Sequence, residues 1–294
     1  MIATKKAFLS AVLVASTLAA LPAFGFIYPI TEVIRDVFNN RKPVSGLLIR
    51  IRHDIEVQHG EVISVDETIL QESGATWFRW QLSSAQQGNA PAAIAAKATG
   101  NRYSLLSGGE VPLVSQTWLR YVSGATAQEF LDTAMREGFI RREQLLQFAP
   151  GYKPEGDPKT WDPNSNYLRH PDIYLHQVDS QPSIAIVGTH ESDRWRAVFA
   201  DLRRTGIKRI EWKAGTESVS WTFNRFAPAG NLGRFAREFS LNLNGTTRIQ
   251  SKVISVQAIG VRDVPKEKRD MQTSLGTAGM SGLESALKFM LRYR

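Results

Sequence analysis

Leu47-Leu48-Ile49-Arg50-Ile51-Arg52-His53-Asp54-Ile55-Glu56-Val57-Gln58 is the stretch that decides the architecture. Leu47, Ile49, Ile51, His53, Ile55 and Val57 alternate with Leu48, Arg50, Arg52, Asp54, Glu56 and Gln58. Successive strand side chains point to opposite faces, so this period of two marks a strand with one face buried and one wet. Two residues break the rule: Leu48 is apolar on the wet face and His53 is polar on the buried one. The run is longer than the usual strand of about five or six residues. His59-Gly60 supplies a tight reversal into Glu61–Gln71, where Ile63, Val65 and Ile69 continue the pattern. A third strand runs over Thr76–Leu82, with Phe78, Trp80 and Leu82 on one side. Three strands joined by short turns make an antiparallel meander.

Upstream, Ile30, Val33, Ile34, Val37 and Phe38 form one face of an amphipathic helix, begun at Pro29 or Thr31 and stopped by Asn39–Pro43. Downstream, Ala85–Gly100 reads as a loop or short irregular helix, and Tyr103–Leu119 as further strand with an edge or break at Pro112. Thr126-Ala127-Gln128-Glu129 is a capping box. It opens a helix with Phe130, Leu131, Ala134 and Met135 on its apolar face and Gly138 as terminator. Glu143–Phe148 reads as a second short helix, and Ala149–Asn166, with four prolines, as a long surface loop.

Strands then resume. Ser183–Thr189 is a buried run, and Ile207–Lys213 and Ser218–Phe226 follow, with Val219, Trp221 and Phe223 sharing a face. Phe239, Leu241 and Leu243 lead into the hairpin signal Asn244-Gly245. Ile249–Ala258 returns from it, its apolar phase slipping at Val253-Ile254 as a bulge requires. Ser281–Arg294 fits a helix with Leu283, Ala286, Leu287, Met290 and Arg294 in register. The order helix, meander, helices, meander, helix predicts an α+β fold, mainly antiparallel β. Its form is one strongly curved sheet with helices covering the concave face; a sandwich without helical covering is the alternative.

The first residues carry the parts of an export signal: basic Lys5 and Lys6, apolar or small residues from Ala7 to Leu21, then Pro22 and Ala23-Phe24-Gly25. Cleavage is expected before Phe26, or after Ala23. A retained anchor is the competing reading, but about 15 apolar residues fall short of the roughly 20 that span a bilayer. Residues 1–25 are thus read as a signal peptide and the protein as periplasmic. Residues 26–294 are read as a single β-rich domain with a central helical and Pro-rich insertion at about 125–166 and a C-terminal helix at about 281–294. The chain has no Cys, so neither disulfides nor a lipid-modified cysteine is available.

The formal net charge is +8, from which the leader takes Lys5 and Lys6. A basic balance favours acidic partners, among them anionic lipid headgroups, lipopolysaccharide phosphates and acidic proteins; export argues against nucleic acid. Two basic groups are candidate membrane or partner contacts: Arg194, Arg196, Arg203 and Arg204, with Lys208 and Arg209, around Trp195 and Phe199, and Lys288, Arg292 and Arg294 beside Phe289 and Leu291. A solvated basic face is the plain alternative. Motifs for chemistry are not found. His170 and His176 match no zinc spacing, and His190-Glu191-Ser192-Asp193 lacks a nucleophile elbow. Ser285–Lys288 has no partner motifs, and Gly108-Gly109 is no phosphate loop. No catalysis, metal or cofactor is expected. His53 reads as a buried, hydrogen-bonded histidine rather than a ligand. Phe78, Trp80, Trp221 and Phe223 point inward, where they either line a cavity or fill a packed core; periodicity does not distinguish the two.

Ile30–Phe38, Leu47–Gln58, Ile63–Leu82 and Phe239–Ala258, in that order behind an export signal, resemble the LolA/LolB-like superfamily. The resemblance implies an incomplete antiparallel barrel with a helical lid, whose apolar interior takes acyl chains. For this chain it implies binding of lipid or lipoprotein during transport to the outer membrane, or sensing of it, in the envelope of a Gram-negative bacterium. The alternative is a non-catalytic envelope scaffold that binds a protein partner or anionic membrane through its basic face.

Overall fold

A computed structural model describes residues 30–39, 44–57, 60–72, 75–83, 92–99, 102–112, 115–123, 126–146, 172–191, 194–272 and 280–294. Residues 1–25, read as an export signal, Ala149–Asn166, read as a loop, and His170 lie outside the described residues. The strands are β1 (Gly46–Glu56), β2 (Val62–Glu72), β3 (Ala75–Leu82), β4 (Ala93–Thr99), β5 (Arg102–Leu105), β6 (Glu110–Pro112), β7 (Ile173–Val178), β8 (Gln181–His190), β9 (Arg194–Asp201), β10 (Ile207–Ala214), β11 (Glu217–Pro228), β12 (Arg234–Leu243) and β13 (Thr246–Ile259). The helices are α1 (Ile30–Asn39), α2 (Gln116–Val122), α3 (Ala127–Arg136), α4 (Arg142–Leu146), α5 (Val264–Gln272) and α6 (Met280–Leu291).

All thirteen strands belong to one antiparallel sheet, ordered β6-β5-β4-β3-β2-β1-β13-β12-β11-β10-β9-β8-β7. Two meanders meet in its middle, where β1 pairs with β13. Among the described residues no pairing joins the ends β6 and β7, so the sheet is open. It is strongly curved: β3 and β11 stand five strand spacings apart, about 24 Å in a flat sheet. Yet one guanidinium reaches both, through Glu67 to Trp80 of β3 and directly over the ring of Trp221 of β11. The fold class expected from the sequence is the one observed.

The long first strand behaves as its alternation requires. Leu47, Ile49, Ile51, His53 and Ile55 are buried on the inner face, while Arg50, Arg52 and Asp54 are exposed. Both exceptions have structural causes. Leu48 lies on the outer face under α5, packed with Leu70 and Met271. His53 belongs to an inner polar cluster described below. The bulge also falls where the phase slips: Arg50 pairs with Ser255 and Ile51 with Val253, which leaves Ile254 unpaired and half exposed. Asn244 (φ 49°) and Gly245 (φ 80°) take the left-handed turn of a two-residue hairpin.

Helix α1 buries Ile30, Val33, Ile34, Val37 and Phe38 completely or nearly so, and the capping box of α3 is formed as read. Gly138 (φ 76°) ends α3: its N–H reaches Met135 O and the N–H of Phe139 reaches Ala134 O, the two bonds of a Schellman motif. The turn that follows lies hard against Gly188, where a Cβ would stand 2.3 Å from the Phe139 carbonyl carbon. Gly188 is also where the β8–β9 register slips, so it serves both the bulge and the close approach.

Five segments depart from the sequence reading. Ala93–Thr99 is strand, not loop or irregular helix. Alanine favours strands weakly, but here it stands between rings: Ala96 is paired with Phe78, and Ala98 with Tyr103, whose rings meet edge to face at 5.1 Å. Gln116–Leu119 is helix, not strand. Ser115 caps it, and the carboxylate of Glu137, remote in sequence, accepts from the Gln116 N–H (2.7 Å) and Thr117 N–H (3.0 Å). Arg194–Asp201, read only as a basic region, is strand β9, and β7 and α5 were not anticipated.

Candidate functional site

The inner face carries two groups of rings. On β3 and β5, Phe78 and Trp80 stack at 5.4 Å with planes 8° apart, and Tyr103 meets Trp80 at 5.8 Å. On α2, β11 and β12, Trp118 packs on Trp221 at 5.0 Å, and Phe239 lies 5.8 Å from both Trp221 and Phe223. Phe78, Trp80, Trp221 and Phe223 are all fully buried, on the face their phase assigns.

Between the two ring groups sits a polar cluster with no exposed side chain among its charged members. Glu67 takes the inward β2 position between Val65 and Ile69. Its Oε1 accepts from Trp80 Nε1 (2.7 Å) and Arg294 Nη1 (2.5 Å), and its Oε2 from Arg294 Nη2 and His53 Nε2, both at 2.9 Å. His53 Nδ1 lies 2.8 Å from the hydroxyl of Ser251 on β13. The guanidinium of Arg294, three residues beyond α6, lies over Trp118 at 4.2 Å and near Trp221 at 5.9 Å. Trp221 Nε1 donates to Tyr293 O at 2.8 Å, which fixes the same segment a second time.

Burial by itself raises the Glu67 carboxyl, but the Arg294 charge and the bonds from His53 and Arg294 outweigh it and hold the group well below the carboxylate range. Burial lowers His53, and this outweighs the attraction of Glu67, so the imidazole is neutral at pH 7. A carboxylate only accepts, so Nε2 carries the ring proton toward Glu67, and Nδ1 accepts from the Ser251 hydroxyl. Burial also pushes the Tyr103 hydroxyl up, which keeps it a neutral donor. One carboxylate, one guanidinium and one neutral imidazole leave the cluster without net charge. An apolar crevice of about 20 Å³ opens beside it, lined by Ile49, Tyr121, Val122, Phe223, Phe235 and Phe239 among others.

The basic residues singled out in the sequence lie apart. Arg194 and Arg196 stand at one end of β9, and Arg203 and Arg204 in the turn beyond the other, about 23 Å away at 3.3 Å per residue. Arg196 bonds to Glu137 O and covers the Phe139 ring, and Arg204 pairs with Asp36 of α1. Arg292 pairs with Glu217 at 3.2 Å. Arg194, Arg203 and Lys288 are exposed. Among the described residues no group of three or more His, Asp or Glu is placed to hold a metal ion.

Sequence reasoning located the rings and His53 but missed Glu67, Ser251, Trp118 and Tyr103. One signal was present: Glu67 is the charged residue in the apolar phase of Ile63, Val65 and Ile69, as His53 is in that of β1.

An open, strongly curved antiparallel sheet with helices on its inner face is the class of fold these features define. It is similar to a LolA superfamily protein from Nitrosomonas europaea, at 8% identity and a TM-score of 0.44 over 81% of this chain and 96% of that one. A domain assigned to outer membrane lipoprotein sorting, from Vibrio parahaemolyticus, matches at 10% identity and 0.43, over 81% of this chain and 97% of that one. A DUF1329 family protein from Desulfovibrio piger matches at 7% identity and 0.43, over 83% and 99%. The likeness is one of chain path, and the chemistry is read from this chain's own residues. No family model and no curated protein sequence matches it.

Proposed function

We propose that the protein is a non-catalytic periplasmic carrier or sensor that binds acyl chains of lipid or lipoprotein on the inner face of its sheet. The observation that carries this reading is the aromatic lining on both sides of the polar cluster, Phe78, Trp80 and Tyr103 on one side and Trp118, Trp221, Phe223 and Phe239 on the other, roofed by α1, α2, α3 and α6. Each methylene buried there gains about 0.8 kcal/mol. The apolar crevice at Tyr121 and Phe239 lies beside these rings and is the proposed point of entry. Native mass spectrometry of protein isolated from its own periplasm tests this. Lipid adducts that Trp221→Ala removes are the expected result; a single apo mass with no uptake on incubation with lipid refutes it.

A second reading rests on exposed Arg194, Arg203 and Lys288: a scaffold held at anionic membrane by charge. Sedimentation with phosphatidylglycerol vesicles that weakens as salt rises supports it, and binding indifferent to salt removes it.

A further inference from the structure

Among the described residues, three buried donors around the polar cluster lack an acceptor: Tyr103 Oη, Trp118 Nε1 and Arg294 Nε. All three residues are completely buried. They are also neighbours. Trp118 lies against the Arg294 guanidinium, and Tyr103 packs on Trp80, whose N–H joins it to the same Glu67 that holds Arg294. Buried polar groups are paired in more than nine cases of ten, so three orphans in one place call for an explanation. All three donate and none accepts, apart from the second role of the phenol. A carboxylate or phosphate would bring charge into a cluster whose Glu67 and Arg294 already cancel, at a large desolvation cost. A neutral acceptor brings none.

Resting on the acyl-binding reading, we propose that these donors form a polar subsite for the ester or amide carbonyl of the bound acyl chain, so that the protein selects acyl esters and amides over plain hydrocarbon. The approach is short: the crevice is lined by Tyr121, one helical turn from Trp118 on α2, and by Phe239, 6.1 Å from the Trp118 ring. Chain methylenes lie on the rings, and the two lone pairs of the carbonyl oxygen accept from donors of this set, the phenol, the indole and the guanidinium Nε.

The test measures affinities of the full chain for methyl palmitate, N-methyl palmitamide, palmitate and an alkane of equal length, by quenching of tryptophan fluorescence. The ester or the amide is expected to bind about tenfold or more tighter than the alkane. Whichever of the two leads identifies a glyceride-type or an N-acyl-type source. Tyr103→Phe removes one donor and keeps the ring, so the ratio of carbonyl-probe affinity to alkane affinity drops roughly three- to tenfold. Because the hydroxyl has no partner among the described residues, the same variant is expected to melt no lower than the wild type, which separates a binding role from a structural one. Equal affinity for ester, amide and alkane overturns the inference alone. So does a preference for palmitate, or an unchanged preference in Tyr103→Phe. Uptake of none of the four probes overturns the acyl-binding reading and the inference with it.

Discussion

Neighbouring residues of one two-stranded ladder give this protein two kinds of ion pair. Arg52 and Asp66 face each other across β1 and β2 on the outer side, 2.8 Å apart, with side chains 48% and 26% exposed. One step along each strand, His53 and Glu67 point inward, and there Glu67 meets Arg294 with both side chains wholly buried. The outer pair loses little by separating, because water solvates both ions. The inner carboxylate has no such refuge, and removing either partner strands a charge in the core. A single-residue change of phase converts a weak surface contact into a fixed point of the fold.

Glu67→Ala is therefore expected to cost about 3–5 kcal/mol in urea unfolding, because Arg294 stays buried without its partner. Equal costs for Glu67→Ala and Asp66→Ala would break the contrast between the two faces. The double variant Glu67→Leu/Arg294→Met sharpens it. With both ions gone, most of the loss is recovered, and a double-mutant cycle reports strong coupling.

Acid separates the members of the inner cluster. His53 is held below its ordinary value of 6.5, so the unfolded chain takes up a proton first and stability falls as pH drops below that value. Glu67 is held below 4.5, so its contribution is complete above that value and is lost as pH falls below it. Melting temperatures should decline from pH 7 to pH 5, and His53→Gln should flatten that decline while leaving the one below pH 4.5. The smallest effect belongs to the outer pair: Asp66→Ala costs under about 1 kcal/mol, and added salt shrinks the difference further.

Much of the fold was legible because it is written in local periods. The alternation of Leu47–Gln58, the apolar stripe of Ile30–Phe38, the box at Thr126–Glu129 and the turn at Asn244-Gly245 each describe a structure closed within a few residues. The bulge at Ile254 was readable because inserting one residue shifts the apolar phase visibly. What escaped lacked a local signal. The alanines of β4 take strand because large rings flank them, and α2 forms where Glu137 satisfies its first N–H groups. The outer burial of Leu48 depends on α5, far along the chain.

The candidate site divides the same way. Phase placed Phe78, Trp80, Trp221 and Phe223 inside, and flagged His53 as a buried, bonded histidine. It put Arg294 on the apolar register of the last helix, and it gave no partner for either; the other reading of Arg294, as a membrane or partner contact, is overturned by its complete burial against Glu67.

By itself, the sequence determined which side of each strand and helix turns from water, because hydrophobic periodicity acts over three or four residues. Only the tertiary structure decided what the inner face contains. Glu67 collects Trp80 from 13 residues away, His53 from 14 and Arg294 from 227. A buried charge must find its counter-ion wherever the curved sheet brings one, and no period in the chain encodes that distance.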